Sequence, residues 1–492
     1  MIKKRILFKV CLLYCSFGFS QIVPDPYQTL YTTLDTKLKE IDQALSAAWD
    51  GEKYCTYYCT SLMTANSGRG ETLLEPQILD NIEYYLDAFE ALGVRAVDIA
   101  IQYPVLVTSF PKSEDYLNFY KAVVQKVRDH GFRLIIGCQS TFRDSIFGKL
   151  DVETFYEGLD KERFKTEKKQ MIETIINELK PDYLTIETEP STQGMNLGLD
   201  YTVNDVVEYV QYFLNGLDKK GTLIGGGSGT WDEIGYIDEI AQFEEIDYID
   251  YHIYPVIQDF FVDKVFKIDS IATRYQKKLV IGECWLHKAD ETDLQELPPH
   301  VRFVRDIFSF WIPLDSLFTE CVVKLSHLSK CEVTSLIWAS FLFSYLDYLP
   351  EHETMPLDQL YNAGYTASTQ NILSKTCSPT GVLYQNLIID ACNSTVCPGS
   401  QHNFPCHFML EQNFPNPFNP STTIRFSLSR PDDITLKVYD LRGKEIENIF
   451  SGHCPAGINE VIWQPEVLSS GIYMVYLQAG NSIEKRKMIF LK

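Results

Sequence analysis

The sequence predicts a two-part architecture, an α/β (β/α)8 TIM barrel followed by a small all-β, immunoglobulin-like sandwich, and three observations carry that prediction. From Lys53 onward, short β-rich runs alternate about eight times with longer amphipathic segments, the rhythm of βα units. No glycine-rich phosphate loop follows the first run, as a doubly wound open sheet would want, so a closed barrel with enlarged loops is the better fit. From Met409 the texture changes to short alternating strands separated by turn residues, as in a sandwich.

The elements follow in order. The opening MIKKRILFKVCLLYCSFGFS places Lys3, Lys4 and Arg5 before an apolar run and then small residues, the build of a secretory signal peptide. Residues 1–20 are therefore expected to be removed, leaving a chain that starts near Gln21. Lys9 interrupts the apolar run, which is too short to span a bilayer comfortably. Cys15 follows Tyr14 rather than the small residue a lipoprotein signal needs.

The first strand is expected in KYCTYYCTSL, the second in RAVDIAIQYPVL after a helix closed by Gly93, and the third in FRLIIGCQS. A helical segment from Val152 to Lys180 stops at Pro181, where a helix breaks. The fourth strand is then PDYLTIETEPST, the fifth LIGGGSGTW, the sixth DYIDYHIYP and the seventh LVIGECWLHK. A long helical region from Pro299 to Lys330 precedes the eighth, VTSLIWASFLF. The barrel module is taken as 21–395, the charge-free stretch at 396–408 as a linker, and 409–492 as the sandwich.

Removing Lys3, Lys4, Arg5 and Lys9 from the 44 basic residues leaves 40 against 66 acidic ones, a net charge near −26. Such a surface repels nucleic acid. The sandwich segment is balanced, so the acidity belongs to the barrel. Eleven of the 13 cysteines lie beyond the signal. Export permits disulfides, and the local candidates are Cys321 with Cys331, Cys377 with Cys392, and Cys397 with Cys406. Cys55 and Cys59 lack a second pair at zinc-site spacing and no HExxH occurs, so no metal site is expected.

The stretch LEQNFPNPFNPSTTIRFSL, followed by VYDLRGKEI, AGINEVIWQP, SSGIYMVYLQAG and EKRKMIFLK, closely resembles the C-terminal sorting domain of type IX secretion cargo. The resemblance implies passage of the inner membrane by the signal peptide and of the outer membrane by this domain, with the secretion machinery as partner. Pro415, Pro417 and Pro420 stiffen the start of the domain and cannot donate ladder hydrogen bonds.

In a barrel of this kind, polar residues at the C-terminal ends of the strands invite a functional reading. Glu187 and Glu189 lie two apart on the fourth strand and are expected to point together into the barrel. Glu283 closes the apolar run of the seventh strand, opposite the fourth across the mouth. Two carboxyl groups so placed are what glycosidic bond hydrolysis needs, one to protonate the leaving oxygen and one to attack.

The runs LTIETEP and VIGECW resemble glycoside hydrolase clan A, and that resemblance implies Glu189 as acid/base and Glu283 as nucleophile. Tyr254 and His252 resemble the clan's neighbours of the nucleophile, and Trp338 matches its sugar-binding tryptophan. Trp285, Trp231 and Tyr103 are candidate stacking surfaces. Glu187 is expected to be an ion-pair partner inside the barrel or a neighbour tuning Glu189.

Two positions depart from the clan's pattern. Thr188 stands where an asparagine is usual, and no arginine occurs in VDIAIQYP. The glycines of GGGSGTW lack the Lys-Ser/Thr of a phosphate loop and are read as small residues packing inside the fifth strand. Cys138 and Cys284 are read as inert core thiols.

The expectation is a secreted, monomeric, retaining glycosidase acting without cofactors on a β-linked polysaccharide or oligosaccharide. The competing reading, from another class, is a non-catalytic surface barrel that binds glycans or serves as an adhesin.

Overall fold

The computed structural model describes residues 22–142, 149–254, 256, 263–394, 409–428, 432–440, 442–454, 457–465, 468–480 and 482–491. The expected signal peptide, the linker and the Cys397–Cys406 pair lie outside the described residues. Eight parallel strands close in chain order: β1 (Tyr57–Ser61), β2 (Ala96–Ala100), β3 (Arg133–Gly137), β4 (Tyr183–Glu187), β5 (Leu223–Gly229), β6 (Tyr248–Ile253), β7 (Lys278–Cys284) and β8 (Val333–Leu336). The last strand returns to the first, with Tyr57 opposite Val333.

Side chains alternate along each strand. One set, Cys59, Ala96, Ile135, Tyr183, Tyr248, Val280 and Val333, fills the inside of the barrel as its own cluster. The other set, such as Leu184, Ile186, Ile224 and Ile249, packs outward against the helices. At two glycines of β5, Gly225 and Gly227, β6 occupies the side-chain space. A Cβ on Gly225 would sit 2.0 Å from a ring carbon of Tyr248, and one on Gly227 would sit 1.6 Å from the Asp250 carbonyl oxygen.

The helices between strands follow the expected apolar spacing, with four differences. The Val152–Lys180 segment is broken into Glu153–Tyr156 and Lys161–Thr174, because Gly158 turns at positive φ and Asp160 caps the second helix from Arg163 N–H. It ends in a π turn before Pro181. The eighth strand is only four residues long, and Ala339–Phe343 is helical. A helix at Gln28–Ala48 precedes the barrel and buries Leu30, Leu34, Leu38, Ile41 and Leu45, a stripe at helical spacing packed against Ile312–Leu328. Leu357–Leu373 and Pro379–Ser394 add two further helices after β8.

Two of the expected disulfides do not form. Cys321, Cys331 and Cys377 are free thiols. Cys321 and Cys331 are buried in the barrel's apolar layer, where a thiol packs as a small hydrophobe. Cys55 is disulfide-bonded instead.

The C-terminal segment forms a three-stranded antiparallel sheet (Met409–Leu410, Thr422–Leu428, Gly457–Trp463) and a four-stranded one (Asp432–Asp440, Glu445–Cys454, Gly471–Ala479, Ser482–Phe490). Its core is its own, centred on Phe418, Phe426, Leu436, Val475, Trp463 and Phe490. The Asn-Pro run is tied in by side chains: Asn413 Nδ2 donates to Pro415 O and Thr422 Oγ1, and Asn416 Oδ1 accepts from Ile489 N–H.

Candidate active site

β4 changes direction where it meets its acidic residues. Its pairing with β5 slips between Thr185 and Glu187, a bulge that re-aims the side chains beyond it. Glu187 therefore does not share a face with Glu189. It is fully buried in the strand–helix layer, where Lys168 Nζ donates at 2.9 Å, the Tyr201 hydroxyl at 3.0 Å, and Gln193 Nε2 also donates. Burial raises its pKa, opposed by Lys168 and by these hydrogen bonds. The expected common orientation is corrected by the bulge, and the ion pair lies outside the barrel lumen.

Glu189 follows the strand with φ 48° and ψ 59° and leads into Pro190, the first residue of a short helix. A non-glycine residue in this left-handed region costs about 1–3 kcal/mol and persists only where its surroundings hold it. Two contacts do so. His252 Nδ1 lies 2.5 Å from Glu189 Oε1, and Asp232 accepts from the backbone N–H of Ser191 at the start of the helix.

β6 places Tyr248, Asp250 and His252 at alternate positions, and Tyr254, just past its end, continues the same row of polar side chains. The Tyr254 hydroxyl donates to Glu283 Oε2 at 2.8 Å, and Gln139 Nε2 donates to Glu283 Oε1 at 3.4 Å. His252 Nδ1 is also 3.6 Å from Glu283 Oε2. One oxygen of Glu189, one ring nitrogen of His252 and one oxygen of Glu283 all lie within 4.8 Å of one another. The two glutamates predicted from strands four and seven are thus brought together around one imidazole.

Two further carboxylates sit below them. Asp98 on β2 accepts from Ser61 Oγ at 2.6 Å and Ser335 Oγ at 2.5 Å. Asp250 Oδ2 is 3.8 Å from His252 Nε2. None of the four carboxylates has a lysine or arginine partner among the described residues. Burial pushes Glu283 up to about 7, with Glu189 and Asp98 adding to the rise and His252 and the Tyr254 hydroxyl opposing it. Burial likewise lifts Asp98 to about 6 against its serine hydrogen bonds. Burial works against a charge on His252, yet Glu283, Asp250 and Glu189 together hold its pKa well above the ordinary value.

The other predicted residues divide. Thr188 is buried and its hydroxyl has no partner among the described residues. Trp338 is half-buried, its indole N–H without a partner among the described residues and its ring 5.7 Å from that of Phe303. Trp231 is half-buried, 5.6 Å from the Tyr254 ring. Trp285 and Tyr103 have no exposed face, which corrects their reading as stacking surfaces. Trp285 is stacked on Phe341 under Lys288, and Tyr103 packs among Phe155, Tyr156 and Phe164 while donating to Glu167. Both lie under the sheet ends, where burial of a large ring outweighs its display.

Sequence reading missed Asp98, Asp250, Gln139 and His287. The first two were legible as inward positions of their strands, and Asp250 is two residues before His252. Gln139 and His287 lie on loops and carried no periodic signal. His287 lies tilted against the Tyr254 ring at 4.8 Å with both ring nitrogens unpartnered among the described residues, and burial, then Arg302, lowers its pKa to about 3.

The spacing of Glu189, His252 and Glu283 could accommodate a metal ion. A ligating imidazole must be neutral, whereas the surrounding carboxylates favour the protonated ring here.

Comparison with known proteins gives three results. No curated protein matches the chain. Solved structures resemble it at low identity. An endo-β-1,4-mannanase from Thermotoga petrophila shares 12% identity over 90% of this chain and 98% of its own, with a TM-score of 0.36. A GH5_18 protein from Streptomyces cattleya in complex with GlcNAc shares 10% over 72% and 84%, with a TM-score of 0.48. A GH5 (subfamily 4) endo-β-1,4-glucanase from Bacillus licheniformis shares 12% over 83% and 73%, with a TM-score of 0.39. Residues 412–491 match the family described as the secretion system C-terminal sorting domain. The chain therefore carries a type IX secretion sorting domain at its C-terminal end, which addresses it to the cell surface or beyond.

Proposed function

We propose that the barrel is a retaining glycoside hydrolase acting on a β-linked polysaccharide or oligosaccharide, with Glu189 as acid/base and Glu283 as nucleophile. The observation that carries this reading is the approach of the two carboxyl groups, with oxygens within 4.8 Å. Retaining enzymes hold their carboxyl groups about 5–5.5 Å apart, whereas inverting ones leave roughly 6.5–9.5 Å for a water. In this reading signal peptide, catalytic domain, linker and sorting domain are 1–20, 21–395, 396–408 and 409–492.

The chemistry follows from the contacts. The Tyr254 hydroxyl opposes the rise that burial imposes on Glu283, and the double-displacement reading requires an ionised Glu283 and a proton donor at Glu189 when a glycosidic oxygen lies against it. Glu283 attacks the anomeric carbon as Glu189 protonates the departing oxygen. Glu189, now ionised beside His252, then draws a proton from the water that releases the sugar. No metal or organic cofactor enters these steps. The buried Thr188 hydroxyl, His287 ring nitrogens and Trp338 indole N–H, unpartnered among the described residues, are groups a hydroxyl-rich ligand would satisfy.

Glu283→Ala is expected to abolish turnover in a reducing-end screen of β-linked glycans, and azide is expected to restore a product of inverted configuration. Full activity of Glu283→Ala on every glycan the wild type cleaves would falsify the assignment. A barrel that binds glycans and cleaves none points to the non-catalytic reading.

A further inference from the structure

We propose that Asp250 is a positioning residue, a single carboxylate that clips the two bulged strands bearing Glu189 and Glu283 into their working separation. The inference rests on the assignment of that pair made above.

The strand pairings show why a clip is needed. β7 pairs with β6 in regular register up to Tyr251 opposite Ile281, then slips so that His252 is opposite Glu283. Gly282 is left over, a bulge residue whose N–H falls outside the ladder. Asp250 Oδ1 accepts that N–H at 2.9 Å. A Cβ on Gly282 would lie 2.3 Å from the same oxygen, so the carboxylate occupies the space a side chain would need. Glu283 is the next residue.

The other oxygen reaches the other glutamate's strand. Asp250 Oδ2 accepts from Thr185 Oγ1 at 2.7 Å, and Thr185 is the last regular residue of β4 before its own bulge. β5 lies between β4 and β6, and a side chain on it would bar this contact. Its residues opposite Tyr248, Ile249 and Asp250 are Gly225, Gly226 and Gly227, so Asp250 reaches across a stretch without side chains. The same Oδ2 lies 3.8 Å from His252 Nε2, on the far side of the ring from Glu189. One carboxylate thus touches both bulges and the imidazole between the glutamates. Bulges re-aim side chains, and an error of about 1 Å in the placement of reacting groups can cost roughly a hundredfold in rate.

Asp250→Ala, Asp250→Asn and Thr185→Val are to be compared with wild type on a panel of dinitrophenyl β-glycosides, with circular dichroism and melting recorded for each. Asp250→Ala is expected to lower kcat about ten- to a hundredfold with KM within about twofold, and to displace the acid limb of the pH profile. Asp250→Asn, whose amide oxygen can still accept the Gly282 N–H, is expected to recover much of the loss. Thr185→Val, nearly isosteric, decides the matter if Asp250→Ala does not fold, and should lower kcat and shift the same limb. Wild-type kcat and an unmoved pH profile in folded variants, including those with a lowered Tm, overturn the inference. Glu283→Ala on the same panel separates the two ideas: if it stays active the pair assignment fails, and if it is dead while Thr185→Val and Asp250→Ala behave as wild type only the clip fails.

Discussion

Glu187 and Glu189 stand two residues apart in one strand end and belong to different regions of the molecule. Glu187 lies in the layer between strands and helices, where Lys168, Tyr201 and Gln193 satisfy its oxygens. Lys288 with Asp315 repeats the pattern elsewhere in the same layer, at 2.5 Å and fully buried. Glu189 lies in the barrel mouth, where three carboxylates, Glu189, Asp250 and Glu283, share one imidazole. A buried carboxylate with its own lysine is neutralised and has no chemistry left to offer, whereas carboxylates competing for one proton donor remain able to exchange it.

Three substitutions test this division, from the largest expected effect to the smallest. If Glu189 is the acid/base proposed above, Glu189→Gln should lower kcat by about 10²–10⁴-fold without lowering Tm. A drop in Tm with kcat intact would move Glu189 to the structural side.

Lys168→Met should do the reverse. Removing one partner of a buried pair costs about 3–5 kcal/mol, and Glu187 would then take up a proton. Urea melts should show the loss, and it should be larger at pH 8 than at pH 5, because an unpaired buried carboxylate is penalised only when ionised. The double variant Lys168→Met/Glu187→Leu should regain most of the stability.

Glu283→Gln gives the smallest effect and the sharpest sign. A carboxyl whose folded pKa is raised to about 7 from an unfolded value near about 4.3 favours the fold at low pH, and loses that contribution as pH rises through the folded value. Replacing it by an uncharged group should therefore stabilise the protein at pH 8 by on the order of 1–3 kcal/mol and leave it unchanged near pH 4. Thermal melts at the two pH values measure it. For the same reason wild-type activity should fall on the acid side below about pH 7, as Glu283 becomes protonated.

The eight-strand rhythm was legible because each strand is a short apolar run between amphipathic helices. The pair Glu189 and Glu283 was legible because a strand that ends in a carboxylate has no use for it in a core. The length of the eighth strand was not, since VTSLIWASFLF is apolar throughout, and a continuous apolar run does not distinguish strand from buried helix. The helix at Gln28–Ala48 carried a clear periodic stripe that went unread ahead of the barrel. The Cys321–Cys331 and Cys377–Cys392 expectations failed because proximity in sequence says little about whether two thiols meet in a packed layer.

Order along the chain was enough to establish a barrel, a sorting domain and two glutamates on facing strands, because those depend on periodicity, motif and strand count. Which of Glu187 and Glu189 faces the barrel mouth was decided in three dimensions. Alternation along β4 would have set Glu187 and Glu189 side by side, and a bulge between Thr185 and Glu187 sent one to Lys168 and the other to His252. A slip of one residue in strand pairing is invisible in composition and spacing, yet it reverses the face on which every later side chain lies.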